Sequence, residues 1–348
     1  MIKTALGMYP YGICAAVSVL WFVASGLFFA GRNGGSKLRK AVFKASCAEL
    51  YCGIVLSRLV FCASNYVKYF IYEPSEIPVL TEGGLSMWGA LFGMLAGALI
   101  YSKVSHIRYS ELIDLMMPGM LGTVLIMRFG ERYTSQSIGK EIRWRALAGS
   151  PFACPDDWGY EVFAVYRMEL LCAAVVLILA VLLLCLNRRP GTTGVICMSV
   201  LSAFQVVFEC MKDVGYLYIY YIRITQALAV LLMLIMLLWR LVPLYGKRPI
   251  VASALTAAFL LGCGIIVKMS FAIDTPAHLE MNLAIMLLGS LLSAASVIAA
   301  WVCAPATAVR GEGTGKATGN TCLWISVLLI ALLVFALPYL IPSGMNIR

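Results

Sequence analysis

An all-α polytopic membrane protein with about ten transmembrane helices is predicted by three observations. Of the 348 residues, 61% are hydrophobic and 13% charged, and the mean hydropathy is +0.89, far outside the composition of soluble domains. The apolar residues fall in runs of about 20, the length needed to cross a hydrocarbon core. The basic residues gather in alternate short loops between the runs, the pattern by which topology is set.

In chain order the runs are 10–31, 43–66, 83–102, 111–128, 161–186, 192–211, 222–242, 249–272, 282–304 and 322–341. The start, MIKTALGMYPYG, lacks an A-x-A-like cleavage site and reads as part of a retained first helix. One set of loops carries Arg32, Lys37, Arg39, Lys40 and Lys44, then Lys103 and Arg108, Arg188 and Arg189, Arg240, Lys247 and Arg248, and Arg310 and Lys316. The opposite loops hold most of the acids, among them Glu73, Glu76, Glu131, Glu141, Asp156 and Asp213. The positive-inside rule then places both termini on the outer side. The one long loop, 129–160, is also outer and rich in Arg, Gly, Pro and Trp, and long loops are commonly functional or disordered. The segment RGEGTGKATGN, 310–320, reads as a flexible cytoplasmic linker.

Several function classes drop out. The formal charge of +10 resides in topology-setting loops, so nucleic acid is not an expected partner. The twelve cysteines lie mostly inside spans and only Cys154 is in a clearly polar loop, which indicates no disulfide framework. With two histidines and no C-x-x-C spacing, neither a metal site nor a cofactor is expected. No internal repeat is evident, which argues against an inverted-repeat transporter. The run ending in Leu-Leu-Gly-Cys263 mimics a lipoprotein signal but lies internally and reads as span eight.

Charge inside a bilayer costs a few kcal/mol per residue, so intramembrane ionisable groups are functional candidates. Here they are Arg58, Asp114, Arg128, Glu169 and Glu209, with Glu49 nearer a cytoplasmic end. The plainer alternative is that they pair with one another to hold the bundle together. In the third span, Gly89, Gly93 and Gly97 recur every four residues, as close helix packing requires. The pair Gly83 and Gly84 before it permits close backbone approach to a ligand. Arg128, Arg132, Lys140, Arg143 and Arg145 lie on the outer side against the topological trend. They suggest either a basic loop on lipid headgroups or a phosphate pocket centred on Arg128.

The stretch GGLSMWGALFG, 83–93, resembles the signature G-G-[ML]-S-F-H-G-G-L-[IL]-G of the bacterial prolipoprotein diacylglyceryl transferases. MRFGERYTSQSIG, 127–139, resembles their G-R-[LIF]-G-N-F-[IL]-N-x-E-x-x-G, and SAFQVVFECMK, 202–212, their G-A-F-R-x-x-x-E-F-x-R. Tyr11-Gly12, Arg58, Asp114 and Glu169 also fall where that family has similar residues. The likeness covers approximately 9–242 and implies a seven-span transferase-like core at 1–245, with additional C-terminal transmembrane helices at 246–348. The implied reaction moves a diacylglyceryl group from phosphatidylglycerol to a lipobox cysteine thiol of a prolipoprotein signal peptide, releasing glycerol phosphate. Arg128, Glu131 and Glu209 are then the catalytic candidates. Tyr11, Arg58, Gly83, Gly84, Ser86, Trp88, Gly139, Glu169 and Gln205 are the substrate-binding candidates. Trp88 stands in place of the signature histidine, Glu131 and Thr134 in place of its asparagines, and Gln136 in place of its glutamate. Gln205 stands where a second arginine would be, with Arg132, Arg143 and Arg145 as possible substitutes for it. A lipid-binding or interaction protein that has lost catalysis on the same scaffold is the alternative.

Overall fold

A computed structural model describes residues 10–79, 84–131, 139–144, 147, 149–156, 158–186, 190–213, 218–219, 222–273 and 278–303. Gly83, Arg132, Arg145, the 310–320 linker and the tenth predicted span lie outside them, as does the side chain of Glu131. Among the described residues, nine helical segments are long and apolar enough to cross a membrane. The protein is an all-α polytopic membrane protein, and its described residues fall into two compact units.

The first unit draws on Met1–Phe61, Pro78–Cys197 and Met211–Val214. Its first helical stretch, α1 (Pro10–Ser64), holds two spans, Tyr11–Arg32 and Ser36–Ser64. These fold back on each other, since a Cβ placed on Gly26 would lie 3.3 Å from Val42 Cγ1. The second span begins before residue 43, the predicted start, because Lys37, Arg39 and Lys40 are good helix formers that a hydropathy reading excludes. Helix α2 (Met87–Ser105) starts on Ser86, whose hydroxyl accepts the Gly89 N–H at 3.3 Å, and stops at His106 in the left-handed conformation, φ 60°. Its glycine face lies on α1: a Cβ on Gly89 would be 2.7 Å from Ser57 Cα, and one on Gly97 2.6 Å from Glu49 Cα. Those positions are therefore packing glycines.

Helix α3 (Tyr109–Glu131) meets the first span of α1, where the Trp21 indole N–H donates to Pro118 O at 3.2 Å and Thr123 Oγ1 to Ser18 O at 3.2 Å. It runs three residues beyond the predicted end at Arg128, because that arginine is buried and paired rather than solvated. The predicted long loop is partly structured. Strands β1 (Ala153–Pro155) and β2 (Glu161–Phe163) pair antiparallel, and 139–142 lie along β2 through Gly139 N to Phe163 O at 2.9 Å and Ile142 N to Glu161 O at 2.8 Å. Helix α4 (Val165–Cys185) packs on α3. Helix α5 (Thr192–Met211) then begins against α3 at Asp114.

The second unit draws on Cys62–Ile77, Met198–Cys210 and the chain from Gly215. Strands β3 (Tyr218–Ile219) and β4 (Ile222–Arg223) form a hairpin that leads into α6 (Ile224–Tyr245). Helices α7 (Pro249–Ala272) and α8 (Leu279–Cys303) match the predicted spans eight and nine to within three residues. They pack through small residues: Gly289 lies against Gly262 O, and Ser293 Oγ donates to Phe259 O at 3.5 Å. Cys263, the terminal residue of the lipoprotein-like run, is inside α7.

Candidate functional site

The segment before α2 sits on α1 through a pair of backbone and hydroxyl bonds. Ser86 N donates to Ser57 O at 3.2 Å and Ser57 Oγ to Ser86 O at 2.8 Å. Gly84 has φ +75°, a conformation that disfavours any side chain, and a Cβ there would lie 2.8 Å from Arg58 Nη1. Its carbonyl instead accepts from Arg58 Nη1 at 3.2 Å, and the Arg58 guanidinium also lies 5.8 Å from the Phe61 ring centroid. Four residues after Gly84, Trp88 is buried and tilted against Phe92 with ring centroids 6.5 Å apart.

Arg128 reaches the same segment from α3, with Nη2 3.1 Å from Met87 Sδ. Its other face meets α4, where Nη1 is 3.0 Å from Glu169 Oε2. The second oxygen of Glu169 takes Lys212 Nζ at 2.9 Å. All three side chains are at most 6% exposed. Lys212 is held there by backbone: Gly139 bridges to it, and Lys140 N donates to Met211 O at 2.7 Å. Two cations share one carboxylate. Preorganised buried cations of this kind stabilise an anion brought beside them. Tyr11 lies beside the end of α3, since a Cβ on Gly130 would be 3.3 Å from its Cδ2.

The second unit has a polar cluster of its own. Gln205 and Glu209, one turn apart on α5, are joined by Nε2 to Oε1 at 2.8 Å. Arg223, the residue before α6, directs its guanidinium onto the Glu209 carbonyl. The Arg223 N–H donates to Gln226 Oε1 at 3.1 Å, and Gln226 Nε2 in turn donates to Val206 O at 2.9 Å and Cys210 Sγ at 2.7 Å. Gln205, Glu209, Arg223 and Gln226 are all buried.

Of the sequence candidates, Arg58, Gly84, Arg128 and Glu169 thus meet around the start of α2, together with Ser86, whose hydroxyl caps that helix. Gly139 permits close approach, but to the protein's own backbone at Phe163 and Met211. Glu131 closes α3. Among the suggested substitutes for a second arginine, Arg143 is exposed. Lys212 and Arg223 were not selected from sequence. Lys212 could have been, as it ends SAFQVVFECMK at the motif's final arginine position. Arg223 lies in no motif, and nothing in its neighbours' composition sets it apart.

A family model for prolipoprotein diacylglyceryl transferases matches residues 1–242. The chain belongs to this family. Among curated phosphatidylglycerol–prolipoprotein diacylglyceryl transferases, that of Thermoanaerobacter sp. (strain X514) is 33% identical over 89 residues, 25% of this chain and 34% of that protein. That of Dehalococcoides mccartyi is 32% identical over 120 residues, 34% of this chain and 45% of that protein. That of Bacillus cytotoxicus is 29% identical over 151 residues, 41% of this chain and 53% of that protein. The matched stretches therefore span about a third to a half of these relatives' lengths. The family match contains every residue of both polar clusters, whereas α7 and α8 follow it.

Proposed function

We propose that this member of the prolipoprotein diacylglyceryl transferase family transfers a diacylglyceryl group from phosphatidylglycerol to a cysteine thiol of a prolipoprotein signal peptide. The observation that carries the reading is the buried triad of Arg128, Glu169 and Lys212 beside the Gly84–Trp88 segment. A guanidinium and an ammonium held together in this way are the groups that bind a phosphodiester anion. In the reaction the carbon–oxygen bond between the diacylglyceryl group and the phosphate breaks and a carbon–sulfur bond forms. The thiol proton passes to a carboxylate, and glycerol phosphate leaves with the electron pair.

Arg128 and Lys212 stabilise the charge that grows on the leaving phosphate. Glu169 holds both cations in register. Arg58, fixed by the Gly84 carbonyl, and Tyr11 line the headgroup site, with Ser86, Trp88 and Gly139 beside it, and Gly83 and Gln205 are further substrate-binding candidates. Glu131 and Glu209 are the carboxylates assigned to thiol deprotonation. The assigned location is the bacterial plasma membrane with both termini outside, and 246–348 is an addition to a core at 1–245.

The test uses the full chain in nanodiscs containing phosphatidylglycerol, with a lipobox peptide as acceptor and mass spectrometry of the peptide as readout. The expected result is a diacylglyceryl adduct whose formation falls about 10²- to 10³-fold or more in Arg128→Ala. Saturable binding of phosphatidylglycerol with no adduct, and failure to replace the family enzyme in cells, overturn the transferase reading and leave a lipid-binding protein.

A further inference from the structure

We propose that Arg223 is a phosphate-binding residue of this chain, supplying from the start of α6 the guanidinium that the span-six motif would have placed at position 205. The inference rests on the transferase-family reading for the identity of the anion, a phosphodiester headgroup, and on the geometry of the second unit for everything else. The motif read in SAFQVVFECMK puts a neutral amide at Gln205, and that amide is engaged with Glu209 Oε1 at 2.8 Å. An amide can orient a carboxylate, but it brings no charge to an anion. The guanidinium of the cluster comes instead from a residue 18 positions further along, which meets the same glutamate at its carbonyl. The cation is moved in sequence and retained beside Glu209.

Its placement is that of a preorganised group. The backbone of Arg223 is paired with Tyr218 in the β3–β4 hairpin and donates to Gln226. Gln226 is tied back to α5 through Val206 and Cys210. The chain is thus fixed on both sides of Arg223, and its buried side chain is delivered to Glu209 with little freedom left to lose on binding. In the proposed topology this end of α5 and the start of α6 face the outer side, where the headgroups of the outer leaflet lie.

A purely structural role is the competing explanation. Glu209 O is one of the last four carbonyls of α5, and a cation at a helix C-terminus stabilises it. The two roles separate under relocation of the charge. An arginine at 205 cannot serve as the same cap, because position 205 lies a turn earlier on the same helix, yet it returns a guanidinium to the Glu209 side chain.

The experiment compares wild type, Arg223→Gln, Arg223→Lys and the double variant Gln205→Arg/Arg223→Gln, each as full chain in nanodiscs. It reads the transfer rate, the thermal midpoint and the binding of phosphatidylglycerol against uncharged diacylglycerol. Arg223→Gln is expected to lower transfer and anion-selective binding by about 10²-fold, with Arg223→Lys recovering part of the loss. The double variant is expected to regain at least about tenfold over Arg223→Gln without regaining its thermal midpoint. If the double variant regains nothing, or if Arg223→Gln lowers only the midpoint, Arg223 is a helix cap and the proposal is overturned. If wild type transfers nothing, the transferase reading falls alone. The proposal then stands or falls on whether selectivity for phosphatidylglycerol over diacylglycerol is lost in Arg223→Gln and returns in the double variant.

Discussion

Two buried carboxylates in the first unit, Glu169 and Asp114, were equal candidates by sequence, since each is an acid inside an apolar span. Their surroundings separate them. Asp114 Oδ2 accepts the Gly191 N–H at 2.6 Å and Oδ1 accepts the Gly194 N–H at 2.8 Å, so its charge is set against the first turn of α5. Those amides have no partner within the helix and would be orphaned in lipid without it. Glu169 faces two side-chain cations. One acid completes a backbone; the other holds together two cations of the kind that bind a phosphodiester. An intramembrane acid serves the scaffold when its partners are backbone amides and points to a ligand site when they are side-chain cations.

Paired neutralising substitutions put the distinction at risk most directly. Glu169→Gln removes the carboxylate that Arg128 and Lys212 share, and transfer is expected to fall by about 10²-fold as the cations move apart. Asp114→Asn keeps the shape but loses the charge and turns one acceptor into a donor. It is expected to lower unfolding stability by about 1–3 kcal/mol and, at a temperature where the protein remains folded, to leave transfer within about threefold of wild type. Thermal unfolding in nanodiscs and the peptide transfer assay measure the two effects. Equal losses of transfer in both variants would erase the contrast between an architectural and a functional acid.

A smaller effect sharpens the same contrast at two glycines. Gly84→Ala forces a side chain into the left-handed region at a cost of about 1–2 kcal/mol and pushes on Arg58, so a several-fold rise in KM for phosphatidylglycerol is expected. Gly264→Ala in α7, where an added Cβ meets nothing within 4 Å, is expected to leave both KM and kcat unchanged. A steady-state titration of phosphatidylglycerol in mixed micelles distinguishes the two, and an unchanged KM in Gly84→Ala would detach Arg58 from the headgroup.

The spans were readable from hydropathy because lipid demands about 20 apolar residues whatever the partners are. The described helices accordingly depart from expectation mainly where a charge interrupts the pattern: at Lys37–Lys40, which extend a helix, and at Arg128, which continues one. Arg58, Arg128 and Glu169 were readable because an ion inside a span is rare. Lys212 was marked only by the final position of SAFQVVFECMK, and Arg223 by nothing, because both lie at span ends, where a basic residue is ordinary in sequence. The strand-like pairing of Gly139 with Lys212, and of Tyr218 with Arg223, fixes where they stand. Such pairings join residues far apart in the chain or sit in loops without periodicity, so hydropathy does not carry them. The roles of Asp114 and Gly139 escaped for the related reason that their partners are backbone atoms of distant segments.

The least of the expected effects concerns Cys154, the one cysteine in a clearly polar loop and the obvious place to look for a reactive thiol. It lies in β1 opposite Val162 and is half-buried. Burial pushes its thiol above the ordinary cysteine range, Arg167 offsets this in part, and Asp156 adds to it. Because the thiolate is the reactive form, Cys154 carries less than the few per cent thiolate of an ordinary cysteine at pH 7. Its alkylation by iodoacetamide, followed by peptide mass mapping, is expected to be slower than that of an unfolded peptide thiol at neutral pH. The rate should climb with pH over a range displaced upward from that of the peptide. Cys154→Ser is expected to leave transfer unchanged, which would place this thiol with Asp114 among the groups that serve the scaffold. Fast labelling at neutral pH, or loss of transfer in Cys154→Ser, would instead move it to the side of Glu169, among the groups whose surroundings are arranged for chemistry.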